Sequence, residues 1–453
     1  MKDIFNISKK VSVLALGSLI AFSACDKQLE ILPQQSIGAD VALSTPQGVQ
    51  TALIGAYERM QGGQLYGTNI NLASELLAAS GDLTWTGTFL GYRQLFGKNA
   101  DDTNTEAERT WVRAYQAINM VNNIIENVDV VQVEADRNRI LGEALFIRGI
   151  LYFELVRFYG LPWQAGNPAN NPAVPLVLTP TTSITEASLV SRASVAAVYE
   201  QVFEDLNQAK SLLPEANGTR ATTYTASAFL ARVYLQQGGT ANWASAATEA
   251  DRVIASERFT LTPTYIDAFN NSANVPEYIF AIQQNNQSNA GTANDGLTTF
   301  YANDNGVGRG DVTINAAFLN NYEAADERRD AFYADGRGIL RNGKFRDHYA
   351  NIAVVRLPEM HLIRAEVNFR NGTTVGTTPL ADINAVRSRA KASQLNNVTL
   401  EQILQERKRE LAFEGFALHD AKRLQQSVGQ LPYDSPNLVL PIPLREKNAN
   451  PNL

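Results

Sequence analysis

Apolar residues recur every three or four positions along much of this chain, the spacing that predicts amphipathic α-helices. Between 106 and 128, for example, Trp111, Ile118, Val121 and Ile125 share one stripe. Thr45 followed by Pro46 is typical of a helix start, and Gly160 of a helix end. Together these signals predict helices over 45–60, 106–128, 134–159, 194–213, 225–237, 243–256, 355–370, 379–392 and 400–424.

The stretch 259–352 has a different composition, rich in Asn, Gly, Asp and aromatic residues. It contains one short predicted strand, "EYIFAIQ" at 277–283. Its aromatic residues argue against disorder. The pattern therefore predicts a mainly α fold, with helical hairpins over about 45–256 and 355–424 and a loop-rich insertion over about 259–352.

Three predicted helices share a short pattern: "ALFIRG" at 144–149, "AFLARV" at 228–233 and "MHLIRA" at 360–365. In the first two, a small residue stands three positions before a tyrosine, as in the hairpins of tetratricopeptide repeats. The intervals between the copies are irregular. The pattern indicates degenerate, tetratricopeptide-like hairpins with long insertions.

The N-terminus reads as a targeting segment. Three lysines precede a short apolar run, Val11 to Phe22, which is followed by two small residues and Cys25, the only cysteine in the chain. This arrangement predicts a signal peptide over 1–24, and it resembles a bacterial lipobox, in which the cysteine is acylated. The alternative is an ordinary secretory peptide with a chance cysteine. No later apolar stretch approaches membrane-spanning length.

Charge and motif content narrow the function classes. A net charge of −7 argues against a nucleic-acid binder. The three histidines are far apart, so no His-rich metal site is predicted. "NDNG" at 303–306 fails as a calcium loop because Tyr301 and Val312 stand where acids are required. Nucleophile-elbow, zincin and phosphate-loop motifs are absent from the sequence. We expect a protein that is not an enzyme and has no cofactor or metal.

The charged run "ERKRELAFE" at 406–414 allows two interpretations. It is either a charged binding patch or a core helix with a solvated, paired face. Alternating charges are typical of pairs on a helix surface. We therefore predict the core helix with a solvated face.

The glycine-rich stretch "SGDLTWTGTFLGYRQLFG" at 80–97 carries the candidate ligand chemistry. Its Gly and Thr content argues against a stable helix, and aromatic residues in such a loop are expected to be partly exposed. Flat aromatic faces stack on sugar rings, while Asp, Asn and Arg bind the hydroxyls. For Trp85 the alternative, packing of the loop onto the core, is equally supported.

Several motifs occur in an order that resembles the SusD/RagB family of outer-membrane nutrient-binding lipoproteins of Bacteroidetes. They are the lipobox, "GEALFIRGILYFELVRFYGLP", "TASAFLARVYLQQGG", "VVRLPEMHLIRAEVNFRNG", "INAVRSRA", "ILQERKRELAFEGFALHDAKRL" and "LPIPLREKNANPNL". One departure lies in "EGFALHDAKR", where Leu418 replaces the family's usual arginine and Ala421 its usual leucine. We expect the helix to survive and its salt bridges to be rearranged.

The resemblance implies a SusD-like helical bundle over 25–453 with a loop-rich ligand-binding portion. It implies a cell-surface lipoprotein, anchored through Cys25, that captures glycans and delivers them to a SusC-like TonB-dependent transporter. Two alternatives stay open: uptake of peptides or other non-glycan nutrients, and a scaffold that contacts only the transporter.

We place the ligand face on the segments 64–97 and 286–311, which mix aromatic residues with Gly, Asn and Asp. The family's ligand loops favour Trp85 and Tyr92 in particular. The candidate ligand-binding residues are Tyr66, Asn69, Asp82, Trp85, Tyr92, Arg93, Tyr301, Asn303, Asp304 and Arg309.

Overall fold

A computed structural model of the protein describes residues 39–453, and within them helices are the main element, so the predicted mainly α class is confirmed. No helix of this part is long and apolar enough to cross a membrane. The helices are α1 (Ala39–Ala42), α2 (Pro46–Gln61), α3 (Asn69–Ala78), α4 (Leu90–Gly97), α5 (Thr105–Asn127), α6 (Glu134–Tyr159), α7 (Val195–Leu212), α8 (Thr223–Gln237), α9 (Thr240–Ala255), α10 (Leu297–Tyr301), α11 (Leu357–Asn371), α12 (Pro379–Arg389), α13 (Leu400–Glu410), α14 (Ala417–Arg423) and α15 (Leu444–Ala449).

Short strands form three antiparallel pairs in the described part of the chain. The strands are β1 (Leu83–Trp85), β2 (Tyr278–Ile282), β3 (Val312–Ile314), β4 (Phe332–Ala334), β5 (Leu340–Asn342) and β6 (Ile352–Arg356). β1 pairs with β3, β2 with β6 and β4 with β5. The predicted strand in "EYIFAIQ" is thus confirmed as β2. Four of the six strands lie in the loop-rich stretch 259–352, so strand pairing gives this stretch a regular conformation.

Two predictions fall on residues outside the described part. The signal peptide over 1–24 and the lipidation site Cys25 both precede residue 39. The proposed extent of one domain, 25–453, also begins there and stays a prediction.

Side-chain caps fix several of the predicted helix starts. At α2, the Thr45 hydroxyl accepts a hydrogen bond from the Gly48 N–H at 3.1 Å, and Pro46 occupies the first turn. At α5, the Asn104 side chain accepts one from the Ala107 N–H at 2.9 Å. These bonds satisfy N–H groups that have no partner within the helix. The sequence signals for these starts therefore act through local hydrogen bonding.

Helix α6 forms the centre of the helical layers. Every residue from Gly142 to Tyr159 is buried, as expected for a helix covered on all sides. α6 packs against α5 and α7, α8 packs against α9, and α9 packs against α11. Neighbouring hairpins thus stack side by side, in the manner of tetratricopeptide repeats.

The repeated sequence pattern has, at the fifth position of each copy, a buried arginine that joins two helices. Each guanidinium donates two hydrogen bonds to one carboxylate on another helix, the bidentate geometry that makes such pairs specific. The pairs are Arg148–Asp205, Arg232–Glu359 and Arg364–Asp382. The degenerate repeat is therefore also a repeat of interhelical connections.

The predicted single helix over 400–424 is wrong: the structure has two helices, α13 and α14, with a turn between them. Phe413 has φ of +61° and Gly415 has φ of +89°, and both values end a right-handed helix. Gly415 is required there, because a Cβ atom at this position would lie 2.9 Å from the Asn71 Cα. This close contact brings the turn onto the start of α3.

The charged face of α13 is buried, so the predicted solvated face is also wrong. Glu406 and Glu410, four residues apart, are both fully enclosed. Glu410 lies among three arginines: Arg356 donates to its Oε1 at 3.1 Å, Arg328 to its Oε2 at 3.3 Å, and Arg389 also donates to its Oε1. A sequence of alternating charges does not show whether those charges contact solvent or pair with other buried charges.

This network, which we call the Glu410 cluster, also includes Glu277, Asp326, Lys344 and Glu414. Burial alone would raise the pKa of Glu410, but Arg389, Arg356 and Arg328 hold it at about 2. The cluster joins the ends of β2 and β6 to α12 and α13. It therefore ties the loop-rich stretch to the C-terminal helices.

We predict that Glu410→Ala lowers the free energy of unfolding by about 3–5 kcal/mol, the usual effect of removing one partner from a buried ion pair. Three arginines would lose a carboxylate that they cannot replace with water. Chemical denaturation of both chains measures the loss.

Glu215→Ala is the matched control, because Glu215 pairs with Arg258 at an exposed site and such pairs contribute little. An equal effect of the two substitutions would contradict the importance of the Glu410 cluster.

A second buried carboxylate joins α3 to α14. Glu75 Oε1 accepts hydrogen bonds from the Gly415 N–H at 2.8 Å and the Phe416 N–H at 3.1 Å. Burial raises the pKa of Glu75 to about 7, although the N–H groups of Gly415 and Ala417 act in the opposite direction. At neutral pH this carboxyl is therefore close to its midpoint of ionisation.

We predict that Glu75→Gln makes the protein more stable relative to wild type as the pH rises. The folded chain keeps a proton that the unfolded chain releases at its ordinary pKa of 4.5, so wild-type stability falls between about 4.5 and about 7 and stays lower above. Glutamine keeps the hydrogen-bond acceptor and has no such dependence. The difference should grow by up to about 3 kcal/mol.

Urea denaturation of both chains at about pH 5 and about pH 8 tests this sign. Glu126→Gln, a substitution on the exposed side of α5, is the control and should show no growing difference. A pH-independent difference for Glu75→Gln would contradict the raised pKa.

Candidate functional site

Strand pairing brings the two predicted ligand segments together. β1 runs antiparallel to β3, with Leu83 opposite Ile314 and Trp85 opposite Val312. Directly beyond the pair, the Thr86 N–H donates to the Asp311 carbonyl at 2.7 Å. The loop that follows β1 and the loop that precedes β3 therefore leave the same end of this two-stranded sheet.

The loop before β3 is fixed at its base by a buried arginine. Arg341 Nη1 donates to the carbonyls of Gly310 and Val312, both at 2.7 Å. Its Nε donates to Asp335 at 3.0 Å. Carbonyls that would otherwise be unsatisfied next to the sheet thus have a charged donor.

The aromatic residues between these loops form an interior cluster. The ring centroids of Trp85 and Tyr92 are 5.1 Å apart, and those of Tyr92 and Phe300 are 5.0 Å apart. Trp85 is 6% exposed, and Tyr92 and Phe300 are fully buried. Phe89 covers this cluster, 5.8 Å from Phe300, and is itself half-buried. The aromatic residues thus form a packed base for the loops.

Two expectations about this stretch are wrong. Residues 90–97 form helix α4 despite their glycines, because the turn packs Tyr92 and Leu95 into the core. Trp85 is not partly exposed, because β1 points its side chain inward and Gly87 lies against the ring. A Cβ atom at Gly87 would lie 2.6 Å from Trp85 Cζ2.

Three more predicted residues, Tyr66, Asn69 and Tyr301, also lie in the interior. The Tyr92 hydroxyl donates to Asn69 Oδ1 at 2.6 Å, and Asn69 Nδ2 donates to Thr110 Oγ1 at 3.0 Å. The Tyr66 hydroxyl donates to the carboxylate of Glu154. Asn69, Tyr66 and Tyr301 are all buried. The centre of the Tyr301 ring lies 5.4 Å from that of Phe345. Burial raises the pKa of Tyr92 well above its usual range. These side chains support the loops from below.

Arg93 and Arg309 lie at the surface near Phe89. The Arg309 guanidinium lies 4.8 Å from the centre of the Phe89 ring, and its Nε lies 3.1 Å from Asp311 Oδ2. Arg93 is exposed, with long contacts of 3.5 Å to the carbonyls of Gly87 and Thr88. We call Phe89, Arg93 and Arg309 the Phe89 platform. It presents a half-buried aromatic ring and two exposed guanidinium groups, and the Arg309 group lies against that ring and is paired with Asp311.

Asn303 and Asp304 lie at the neighbouring edge. Asp304 pairs with Arg346, whose guanidinium lies 4.3 Å from the centre of the Tyr333 ring. Asn303 Nδ2 donates to Asp335 at 3.0 Å. Both predicted residues are half-buried. This edge adds hydrogen-bonding groups beside the Phe89 platform.

Asp82 lies apart from these groups. Its Oδ2 pairs with Lys408 of α13 at 3.0 Å. It therefore faces the C-terminal helices, and the structure does not bring it to the platform.

Three residues of the site were missed by sequence reasoning: Phe89 as the half-exposed aromatic, and Arg346 and Tyr333 at the edge. Phe89 stands in the quoted stretch 80–97, but spacing could not say which of its aromatics faces water. Arg346 carried no sequence signal, because its partner Asp304 is 42 positions away.

The site contains acids and bases but no grouped metal ligands. Among residues 39–453, no three His, Cys, Asp or Glu side chains lie close enough together to hold an ion. Trp85 Nε1 is buried and has no hydrogen-bond partner in that part of the chain. What the arrangement can do is hold a polar ligand by contact with Phe89 and by hydrogen bonds from guanidinium groups.

Family models match two long sections of the chain. One, described as "Starch-binding associating with outer membrane", matches residues 29–235, and another, described as "SusD family", matches residues 340–439. The first match ends before the loop-rich stretch 259–352, and the second begins within its last residues. They include the three repeated arginine patterns and the turn between α13 and α14.

Known proteins resemble nearly the whole chain. It is 25% identical to "SusD-like protein P2" of Formosa agariphila, over 92% of this chain and 91% of the relative. A SusD superfamily protein of Bacteroides thetaiotaomicron is similar with a TM-score of 0.80 and 25% identity, over 90% of this chain and 98% of that one. The surface glycan-binding protein A of Bacteroides uniformis has a similar fold, with a TM-score of 0.75 and 20% identity over 90% of this chain and 99% of that one.

These matches agree with the order of the motifs and with the stacked helical hairpins. The predicted resemblance and the SusD-like helical fold are both confirmed. This chain belongs to the SusD/RagB family.

Proposed function

We propose that this protein is a cell-surface lipoprotein that binds glycans and delivers them to a SusC-like TonB-dependent transporter in the outer membrane. The observation that carries the proposal is the Phe89 platform, formed where the two loops leave the β1–β3 pair. Family membership supports the location and the kind of partner. A glycan-binding protein of the same fold supports the ligand class.

The chemistry of the platform suits a sugar. An aromatic ring offers an apolar surface to the C–H face of a pyranose, while guanidinium groups donate hydrogen bonds to hydroxyls. Arg93 and Arg309 provide these donors, and Asp304 and Asn303 provide acceptors at the edge. The buried residues that support this surface from the interior are Trp85, Tyr92, Tyr66, Asn69 and Tyr301. We assign no catalytic role to any residue.

We predict that Arg309→Gln weakens binding of the cognate glycan about tenfold or more, because a hydrogen bond from a charged group contributes about 1.5–3 kcal/mol. The melting temperature should barely change, since the side chain is partly exposed. Trp85→Ala should do the reverse and reduce stability by about 3–5 kcal/mol, the usual effect of truncating a buried tryptophan.

A panel of polysaccharides and peptides, screened by calorimetry, identifies the ligand before the variants are compared. Arg329→Gln, an exposed arginine outside the platform, is the control and should leave affinity unchanged. If only peptides bind, the ligand is a peptide and not a glycan. Binding of neither, or an unchanged affinity in Arg309→Gln, would contradict the proposed site.

The anchor is the second part of the proposal. Cys25 directly follows a short apolar run and two small residues, and an acylated cysteine with more than one chain gives stable membrane attachment. We predict that Cys25→Ala moves the protein from the outer-membrane fraction to soluble fractions, and that the wild-type chain copurifies with a TonB-dependent transporter. Membrane retention of the variant in cells without that transporter would contradict lipid anchoring.

A further inference from the structure

A groove of about 610 Å³ lies between α13, α14 and the end of α3. Its volume is in the range of about 300–1,000 Å³ typical of ligand pockets. Asp82 is the only one of the predicted ligand residues that lines it, and no member of the Phe89 platform does. Its apolar lining comprises Phe318, Leu404, Phe413, Phe416, Leu424 and Val428.

The charges in the groove are unevenly paired. Each cation in the lining already has a carboxylate: Arg407 has Asp420 at 2.8 Å, Lys408 has Asp82 at 3.0 Å, and Arg423 has Glu366 at 2.6 Å. Two lining carboxylates, Glu75 and Glu401, have no cation within 4.0 Å among residues 39–453. The unpaired ionisable groups that the groove offers to an occupant are therefore acidic.

Glu75 is the buried one of these two carboxylates. The N–H groups of Gly415 and Phe416 bind its Oε1, and no residue of the described part donates to its Oε2. Asp82 and the C-terminal end of α3, whose last residue Ala78 also lines the groove, add negative potential nearby, and the cation of Lys344 acts in the opposite direction. A cationic group here would offset the desolvation that raises the pKa of Glu75.

Arg407 supplies a second unused group. Its Nε is bound to Asp420, but its Nη1 is buried and has no hydrogen-bond partner among residues 39–453. Because the charge of Arg407 is already paired, this N–H suits a neutral acceptor, such as a peptide carbonyl. An apolar lining, an unpaired carboxylate and a free donor for a carbonyl together match one kind of occupant.

We propose that this groove binds a peptide segment of a partner protein in which apolar side chains flank a lysine or arginine. The cation of the segment lies against Glu75 and a main-chain carbonyl accepts from Arg407 Nη1. The apolar side chains cover Phe416, Leu404 and Leu424. The site is separate from the Phe89 platform and does not depend on the identity of the nutrient.

Three blocked pentapeptides test the proposal on the full chain by calorimetry: ALKFA, ALEFA and ASKSA. We expect ALKFA to bind at least tenfold more tightly than either of the others, because one lacks the cation and the other the apolar side chains. Undetectable binding of ALKFA, or equal binding of ALEFA, would overturn the proposal. Equal binding of 3-phenylpropylamine would overturn the assignment to a peptide.

Two variants locate the binding. Glu75→Gln, which keeps the acceptor for Gly415, should weaken ALKFA about tenfold and remove its advantage over ALEFA. Ala421→Leu places a larger side chain in the lining of the groove and should abolish binding. Glu126→Gln is the control for the charge change and should bind ALKFA like wild type.

The melting temperature of each variant is measured first. Ala421→Leu is the decisive variant if Glu75→Gln proves unstable. Unchanged ALKFA affinity in folded Ala421→Leu would overturn the location. Glycan binding should persist in Ala421→Leu, so that failure of the groove and failure of the platform are distinguishable.

Discussion

The burial of complementary charge around Glu410 is the constraint on which the rest of this structure depends. A carboxylate taken out of water is strongly unfavourable unless cations and hydrogen bonds surround it. Here the cations come from β6, α12 and the segment after Tyr322, which are distant in sequence. The chain can satisfy Glu410 only when all of these segments are in place. The ion pairs thereby specify one arrangement of the C-terminal half.

The same kind of contact recurs at smaller scale in the helical hairpins. Arg148, Arg232 and Arg364 each hold a carboxylate of another helix in bidentate geometry. Helix packing by apolar residues tolerates sliding and rotation, whereas two parallel N–H···O bonds fix both. The irregular intervals between the copies do not disturb the packing, because the insertions lie between these arginine–carboxylate pairs and leave the pairs unchanged.

Much of the helical frame could be predicted from the sequence because its signals are local. The Thr45 cap and the stripe through Trp111 act within a few residues. The errors lie where the deciding partner is far away. The turn at Gly415 depends on Asn71, and the burial of the α13 charges depends on Arg328 and Arg356. The spacing of residues within one segment predicts neither this turn nor this burial.

The two predicted ligand segments meet in the structure, but the sequence did not show which of their side chains are exposed. Composition identified both loops, but the pairing of β1 with β3 decided that Trp85 points inward. The burial of Tyr92, whose hydroxyl contacts Asn69, follows from helix α4, which glycine content argued against. Strand register thus decides which of several similar residues in one loop are buried and which are exposed. Register depends on both paired segments, so the sequence of one segment does not determine it.

The base and the tips of these loops have different physical roles. Below, the aromatic cluster and Arg341 hold the chain by burial and by bonds to carbonyls. Above, residues such as Thr86, Thr88 and Asn305 are exposed. Substitutions at the tips therefore change little in the interior that keeps the protein folded. Substitutions can therefore accumulate at the tips with little loss of stability, whereas the buried base tolerates few of them.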